Sequence, residues 1–288
     1  AAKCKEVPKG HVDKCAVFAF ALLLETLYII IIAMELVSWN FNVEDNYMHT
    51  DPSIKYIKEN IQCPIDFDDP ESLHINDLFE YYLSTNCLCT STCTLETNCP
   101  CILNFGLNYK AKVLYEENIN KPHIECGVHC KCPSTCSNRL VQFGPHKSLC
   151  IFKTKNKSLG LKSTTKIAKY TFVCEYAGEV ITSKMAQERY ALNKALNKMN
   201  YIFCLNEIIH DKVTKTFVDP STYGNIGRYI NHSCNPNCFI VPVRVNINVP
   251  KLCIFTIKDV DVDEELTFDY GYNSVSNRST ACTPCLCG

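Results

Sequence analysis

The sequence predicts a mainly β protein with short helices, and three observations carry that expectation. Short β-branched runs bounded by turn residues recur, as in "TFVCEYAGEVIT" and "KLCIFTIKDV". The stretch "VRVNINV", Val243 to Val249, alternates apolar and polar residues as a half-buried strand does. Only one segment, Lys184 to Met199 with Ser183 as its N-cap, reads as a substantial helix. Between Cys87 and Cys136 neither periodicity holds, so that block is expected to be loops tied by something other than an apolar core.

At 288 residues, 47% hydrophobic and 20% charged, the chain can bury one or two cores. A formal net charge of −1 gives no basis for strong direct nucleic-acid binding. Asp259, Asp261, Asp263, Glu264, Glu265 and Asp269 crowd one segment, either a solvated acidic face or an attraction for a basic tail. Ala16 to Met34 is an apolar run of bilayer-spanning length, but Glu25 in its middle costs insertion on the order of 2–3 kcal/mol. Residues 1–50 are therefore set apart as an apolar N-terminal extension, and membrane association is expected only if residues 16–34 are a real anchor.

Twenty-one cysteines mean either a secreted disulfide protein or an intracellular metal binder. Three Asn-X-Ser tripeptides, including Asn231-His232-Ser233, would be glycan acceptors in a secreted chain, which weighs against secretion. The spacing Cys87-x-Cys89-x3-Cys93-x5-Cys99-x-Cys101, a gap of 24, then Cys126-x3-Cys130-x-Cys132-x3-Cys136 gives an odd number of cysteines. Nine cannot all pair, and Cys-x-Cys steps suit disulfide geometry badly. Tetrahedral zinc suits them: three ions need twelve ligand positions, which nine thiolates supply if six are terminal and three bridge two metals each.

This block, followed by "CEYAGE", "YINHSCNPN" and "ELTFDY", resembles the pre-SET and SET domains of SUV39-type histone-lysine methyltransferases. The stretch "TFVDPSTYGNIGRYINHSCNPN" is similar to the SET portion of the SET–mariner transposase fusion methyltransferases. The resemblance implies a knot-like SET β fold over residues 149–272. A triangular zinc cluster over 85–148 would precede it, flanked by residues 53–84, with a partial post-SET tail over 273–288. It also implies S-adenosyl-L-methionine as cofactor, the histone H3 tail or nucleosome as partner, lysine 9 or lysine 36 as acceptor, and a nuclear, chromosomal location.

By the same resemblance, Tyr270 is the catalytic tyrosine and Tyr201 lines the pocket where cofactor and lysine meet. Phe268, where the family carries Phe or Tyr, leaves space for di- or trimethylation. Ser158, Leu159, Gly160, Tyr201, Asn231 and His232 would hold the cofactor, and Tyr176 is a further pocket candidate or a core residue. A fourth zinc would use Cys234, Cys285, Cys287 and one more cysteine a few residues on. The chain stops at Gly288, so that site is expected to be incomplete unless Cys282 substitutes.

The family's Gly-Trp-Gly turn reads Ser158-Leu159-Gly160 here, which is costly if Ser158 must adopt positive φ. Two other classes remain. One is a non-catalytic zinc-stabilised chromatin-binding module. The other is a cysteine hydrolase using Cys234 and His232, which lacks oxyanion donors and an orienting acid at any recognised spacing.

Overall fold

The computed structural model describes residues 49, 51–209 and 211–271. The chain divides into Ala1–Glu44 and Asp45–Gly288, and every described residue lies in the second unit. The apolar run 16–34 and Cys282, Cys285 and Cys287 fall outside the described residues. No helix among those described is long and apolar enough to cross a membrane.

Three four-stranded sheets dominate the described residues. The first runs Phe203–Ile209, Lys212–Asp219, Glu179–Ile181, Ile61–Gln62; the second Asn231–His232, Glu265–Phe268, Leu159–Ser163, Leu149–Lys153. The third runs His123–Ile124, Cys238–Arg244, Lys251–Thr256, Phe172–Glu175. The two β-branched runs thus form strands as their composition requires. Val173, Val180, Leu161, Leu252, Ile254 and Leu266, all within 2% of full burial, meet in one core where these sheets converge. The segment 55–62 adds parallel pairs to Tyr223–Gly224 and to Glu179–Val180, tying it to the sheet region.

The expected helix is present as Ser183–Ala195, but its cap is Thr182, whose hydroxyl accepts from the Met185 N–H; Ser183 is the first helical residue. A second helix, Pro70–Glu80, was not read from the sequence. Asp69 caps it, accepting from Glu71 N–H, and Pro70 occupies the first turn where a missing N–H costs nothing.

The alternation at 243–249 misled. The strand ends at Arg244, and Asn246 takes φ +66° so that its side-chain oxygen accepts from Val128 N–H at 2.7 Å and its carbonyl from Leu83 N–H at 2.6 Å. Docking this loop onto the cysteine block outweighs strand propensity, which is a weak constraint. Glu125, buried beside the block, reinforces the contact. Its carboxylate accepts from Tyr109 Oη, the Leu140 and Val141 N–H groups and Gln142 Nε2, and its own N–H donates to the Arg244 carbonyl.

His123 lies 1% exposed on a strand, with neither ring nitrogen hydrogen-bonded. Burial lowers its pKa to about 4, so the folded protein keeps a neutral imidazole. As pH falls from about 6.5 to about 4 the unfolded chain takes up a proton that the folded chain refuses, and stability drops by up to about 3 kcal/mol. Unfolding free energies of wild type and His123→Phe should therefore diverge in the variant's favour across that window; a pH-independent difference would contradict this account.

The acidic run is largely spent within the chain. Asp261 pairs with Lys166 at 3.2 Å, Asp263 with Lys162 at 2.5 Å, Glu264 accepts from Asn237 Nδ2 at 2.9 Å, and Asp259 accepts from the Lys169 N–H at 2.7 Å. Attraction for a basic tail finds little free charge there.

Candidate active site and metal centre

Nine sulfurs gather where the sequence shows no periodicity. Cys87, Cys93, Cys99, Cys101, Cys126, Cys130, Cys132 and Cys136 are buried, Cys89 is half-buried, and none of the nine is in a disulfide. Three four-sulfur groups form, each with all sulfurs within 4.8 Å of one another: Cys87, Cys99, Cys101, Cys126; Cys87, Cys93, Cys126, Cys132; and Cys87, Cys89, Cys93, Cys99. Sulfur–sulfur distances are 3.6 Å for Cys87–Cys93 and 3.8 Å for Cys93–Cys126 within these groups, and Cys130, outside them, lies 3.7 Å from Cys101. A tetrahedral ZnS4 unit with Zn–S near 2.3 Å has S···S edges of about 3.8 Å, so the donor set and its spacing fit zinc. Burial raises the Cys93 and Cys132 thiols, the latter to about 11, an expense that a cation removes by binding thiolate.

The second assembly is aromatic, and each sheet contributes one member from the end of a strand. Tyr176 follows Phe172–Glu175, Phe203 opens Phe203–Ile209, and Phe268 closes Glu265–Phe268. Their rings form a triangle: 6.2 Å Tyr176–Phe203, 5.9 Å Tyr176–Phe268 and 5.9 Å Phe203–Phe268, all edge-on. Tyr270 lies 4.7 Å from Phe268. Gly227 lets the turn Ile226–Tyr229 press against this cluster, since a Cβ there would meet the Glu175 carbonyl and Tyr176 Cα.

Hydrogen bonds fix the polar ends of the rings. Tyr270 Oη donates to the Ile230 carbonyl at 2.7 Å, and Tyr176 Oη to the Tyr201 carbonyl at 2.6 Å. Burial pushes the Tyr176 phenol well above its ordinary pKa, so it stays a donor. Tyr201 is half-buried with the Arg228 guanidinium 4.6 Å over its ring. Phe203 and Arg228 were absent from the sequence reading. The "YIF" run could have suggested Phe203; nothing in one sequence singles out Arg228.

The "NHSC" segment lies beside these rings. Asn231 and His232 pair in parallel with Thr267 and Phe268, and Ser233 N–H donates to the Phe268 carbonyl. The Tyr270 N–H donates to His232 Nδ1 at 3.2 Å, and His232 Nε2 lies 3.4 Å from the Cys234 sulfur. Cys234 is exposed. Asn231 Nδ2 donates to the Leu159 carbonyl at 3.1 Å and to Glu265 at 2.9 Å. Its Oδ1 has no partner among the described residues, an acceptor left open on the side of the amide away from the Leu159 carbonyl. Ser158 does adopt φ +64°, at a cost of about 1–2 kcal/mol to a residue with a Cβ. Gly160 is required, because a Cβ would come within 2.6 Å of Thr154 Cγ2 and 3.1 Å of Asn231 Nδ2.

A β fold with a nine-sulfur cluster and a packed cluster of aromatic rings beside an open Asn acceptor defines a class, and comparison with known proteins agrees with it. The Pre-SET motif family matches residues 34–139 and the SET domain family residues 158–271. The chain is 40% identical over 190 residues to "Histone-lysine N-methyltransferase SETMAR" of Bos taurus, covering 64% of this chain and 61% of that one. It is 39% identical over 220 residues to "Probable histone-lysine N-methyltransferase set-23" of Caenorhabditis elegans, covering 74% and 85%. The solved methyltransferase domain of human SETMAR superposes with TM-score 0.69 at 34% identity, over 84% of this chain and 87% of that one. The structure of KRYPTONITE in complex with mCHH DNA, an H3(1-15) peptide and SAH matches with TM-score 0.59 at 28% identity, over 84% of this chain and 46% of that one. The chain belongs to the family of Pre-SET and SET histone-lysine N-methyltransferases.

Proposed function

We propose that this protein transfers methyl groups from S-adenosyl-L-methionine to a lysine of the histone H3 tail, lysine 36 or lysine 9, within nuclear chromatin. The convergence of Tyr176, Phe203, Phe268 and Tyr270 beside the open Asn231 acceptor carries this reading. Likeness to a protein solved with an H3 peptide and SAH supports it.

The bound cofactor supplies an electrophilic methyl on a sulfonium. The protein must supply a neutral amine, held in line. A free lysine at pH 7 is only about 0.04% uncharged. An apolar aromatic pocket disfavours the ammonium and so lowers the acceptor's pKa on entry. Tyr270, anchored to the Ile230 carbonyl, orients the amine, and Tyr201 and Tyr176 close the wall. Most of the rate enhancement then comes from positioning and exclusion of water. Ser158, Leu159, Gly160, Asn231 and His232 cradle the cofactor. The nine pre-SET cysteines would hold three zinc ions, and Cys234, with Cys285 and Cys287, would supply three of the four ligands of a further one.

Phe268 is 1% exposed and packs against Tyr176, Phe203 and Tyr270. A hydroxyl there would need a partner, most simply a water occupying the volume of added methyl groups. Phe268→Tyr should shift the product from di- or trimethyl-lysine to monomethyl-lysine, read by mass spectrometry of a methylated H3 peptide. An unchanged product distribution would remove Phe268 from this role.

The strained Ser158 and the Leu159 that replaces an indole favour a second reading, a zinc-stabilised chromatin-binding module without catalysis. Calorimetry separates the two: the enzyme binds S-adenosyl-L-methionine, and the module does not.

A further inference from the structure

Resting on the cofactor position proposed above, we infer that Glu265 is a positioning residue for the cofactor, acting through the side chain of Asn231. An Asn amide offers two N–H donors and one acceptor oxygen, and its orientation is settled only by its neighbours. Here the two neighbours are a backbone carbonyl, of Leu159, and a carboxylate oxygen, of Glu265, at 3.1 and 2.9 Å. Both can only accept. The nitrogen must face them, and both its protons are used.

Oδ1 is thereby turned away from the Leu159 carbonyl and held as a fixed acceptor. A fixed carbonyl oxygen with no donor of its own suits a ligand that brings one, and the α-ammonium of the cofactor's amino-acid end is the charged donor available. Glu265 sits close to the turn as well: a Cβ on Gly160 would lie 3.1 Å from its Oε1. Lys157 pairs with the same carboxylate at 3.3 Å, with side chains 18% and 26% exposed. That pairing offsets the carboxylate's charge, so Glu265 acts chiefly by orienting the amide and only weakly through its field.

The alternative role is a part-buried ion pair between Lys157 and Glu265 that merely ties the turn before Leu159 to the strand Glu265–Phe268, worth little by itself. The two roles differ in what the cofactor's amino group feels. Calorimetric affinities would be measured for S-adenosylhomocysteine and for its analogue lacking the α-amino group, with wild type, Glu265→Ala and Glu265→Gln. Wild type should prefer the amino-bearing ligand by tenfold or more, roughly the value of a charge-assisted hydrogen bond. Glu265→Ala frees the amide to rotate and should lose most of that preference, while its affinity for the deaminated analogue stays within about twofold. Glu265→Gln keeps an acceptor oxygen and should retain the preference although it loses Lys157.

The inference is overturned if Glu265→Ala, with wild-type zinc content and melting behaviour, keeps the full preference. It is equally overturned if affinity for both ligands falls together. Failure of the wild type to bind either ligand would instead overturn the cofactor reading beneath it.

Discussion

Cys87→Ser should lower bound zinc below three ions per chain and unfold the cysteine block and the sheets together. Cys87 is 0% exposed and belongs to all three four-sulfur groups. Serine removes a thiol common to all three groups and leaves a hydroxyl among buried thiols. A structural zinc contributes on the order of 10 kcal/mol to folding in small zinc domains, more than the whole stability of most domains.

The damage should not stay local. Val128, between Cys126 and Cys130 of the cluster, carries the N–H that Asn246 accepts, and Asn246 also accepts from Leu83. Glu125 ties the same loop to Arg244 at the end of a core strand. Release of the cluster therefore frees one edge of the third sheet. Thermal unfolding of Cys87→Ser, or of wild type after chelation, should show one transition displaced far downward, with zinc measured by mass spectrometry. Two well-separated transitions, with the sheets melting where they did before, would show that the cluster and the sheets are independent.

Tyr270→Phe should abolish detectable methyl transfer while leaving the fold and cofactor affinity in place. The ring keeps its 4.7 Å contact with Phe268 and the backbone N–H keeps its bond to His232. What is lost is one hydroxyl and its 2.7 Å bond to the Ile230 carbonyl. That bond is worth about 1 kcal/mol of stability, a tolerable loss. Removing an oriented hydroxyl from a reacting centre costs a rate factor on the order of 10²–10³. Transfer rate, S-adenosylhomocysteine affinity and melting temperature, measured side by side, decide the point. A variant with wild-type rate would exclude Tyr270 from the chemistry.

The two centres were legible in the sequence to different depths. The cysteine cluster was readable because spacing, parity and the rarity of Cys constrain it on their own, and the structure gathers all nine sulfurs. Tyr270, Phe268 and Asn231 were singled out only through family resemblance, since nothing local in "ELTFDY" announces that Phe268 meets Tyr176, Phe203 and Tyr270 in the fold. The Asp69-Pro70-Glu71 start of the missed helix was in plain sight. The false strand at 243–249 shows the opposite failure: its alternation is real, but Asn246 spends it on docking to the cysteine block. Arg228, Phe203 and the orienting bond from Asn231 to Glu265 join residues up to 65 positions apart and exist only in the fold. The acidic run looked like a landing site because its lysine partners lie about a hundred residues upstream.

The most direct test is site-resolved mass spectrometry of histone H3, free and in nucleosomes, after incubation with the zinc-loaded protein and isotopically labelled S-adenosyl-L-methionine. Labelled di- or trimethylation confined to one H3 lysine, and absent with Tyr270→Phe, is the result this account predicts. A folded, zinc-loaded protein that leaves every H3 lysine unlabelled would contradict it and leave the non-catalytic chromatin-binding module standing.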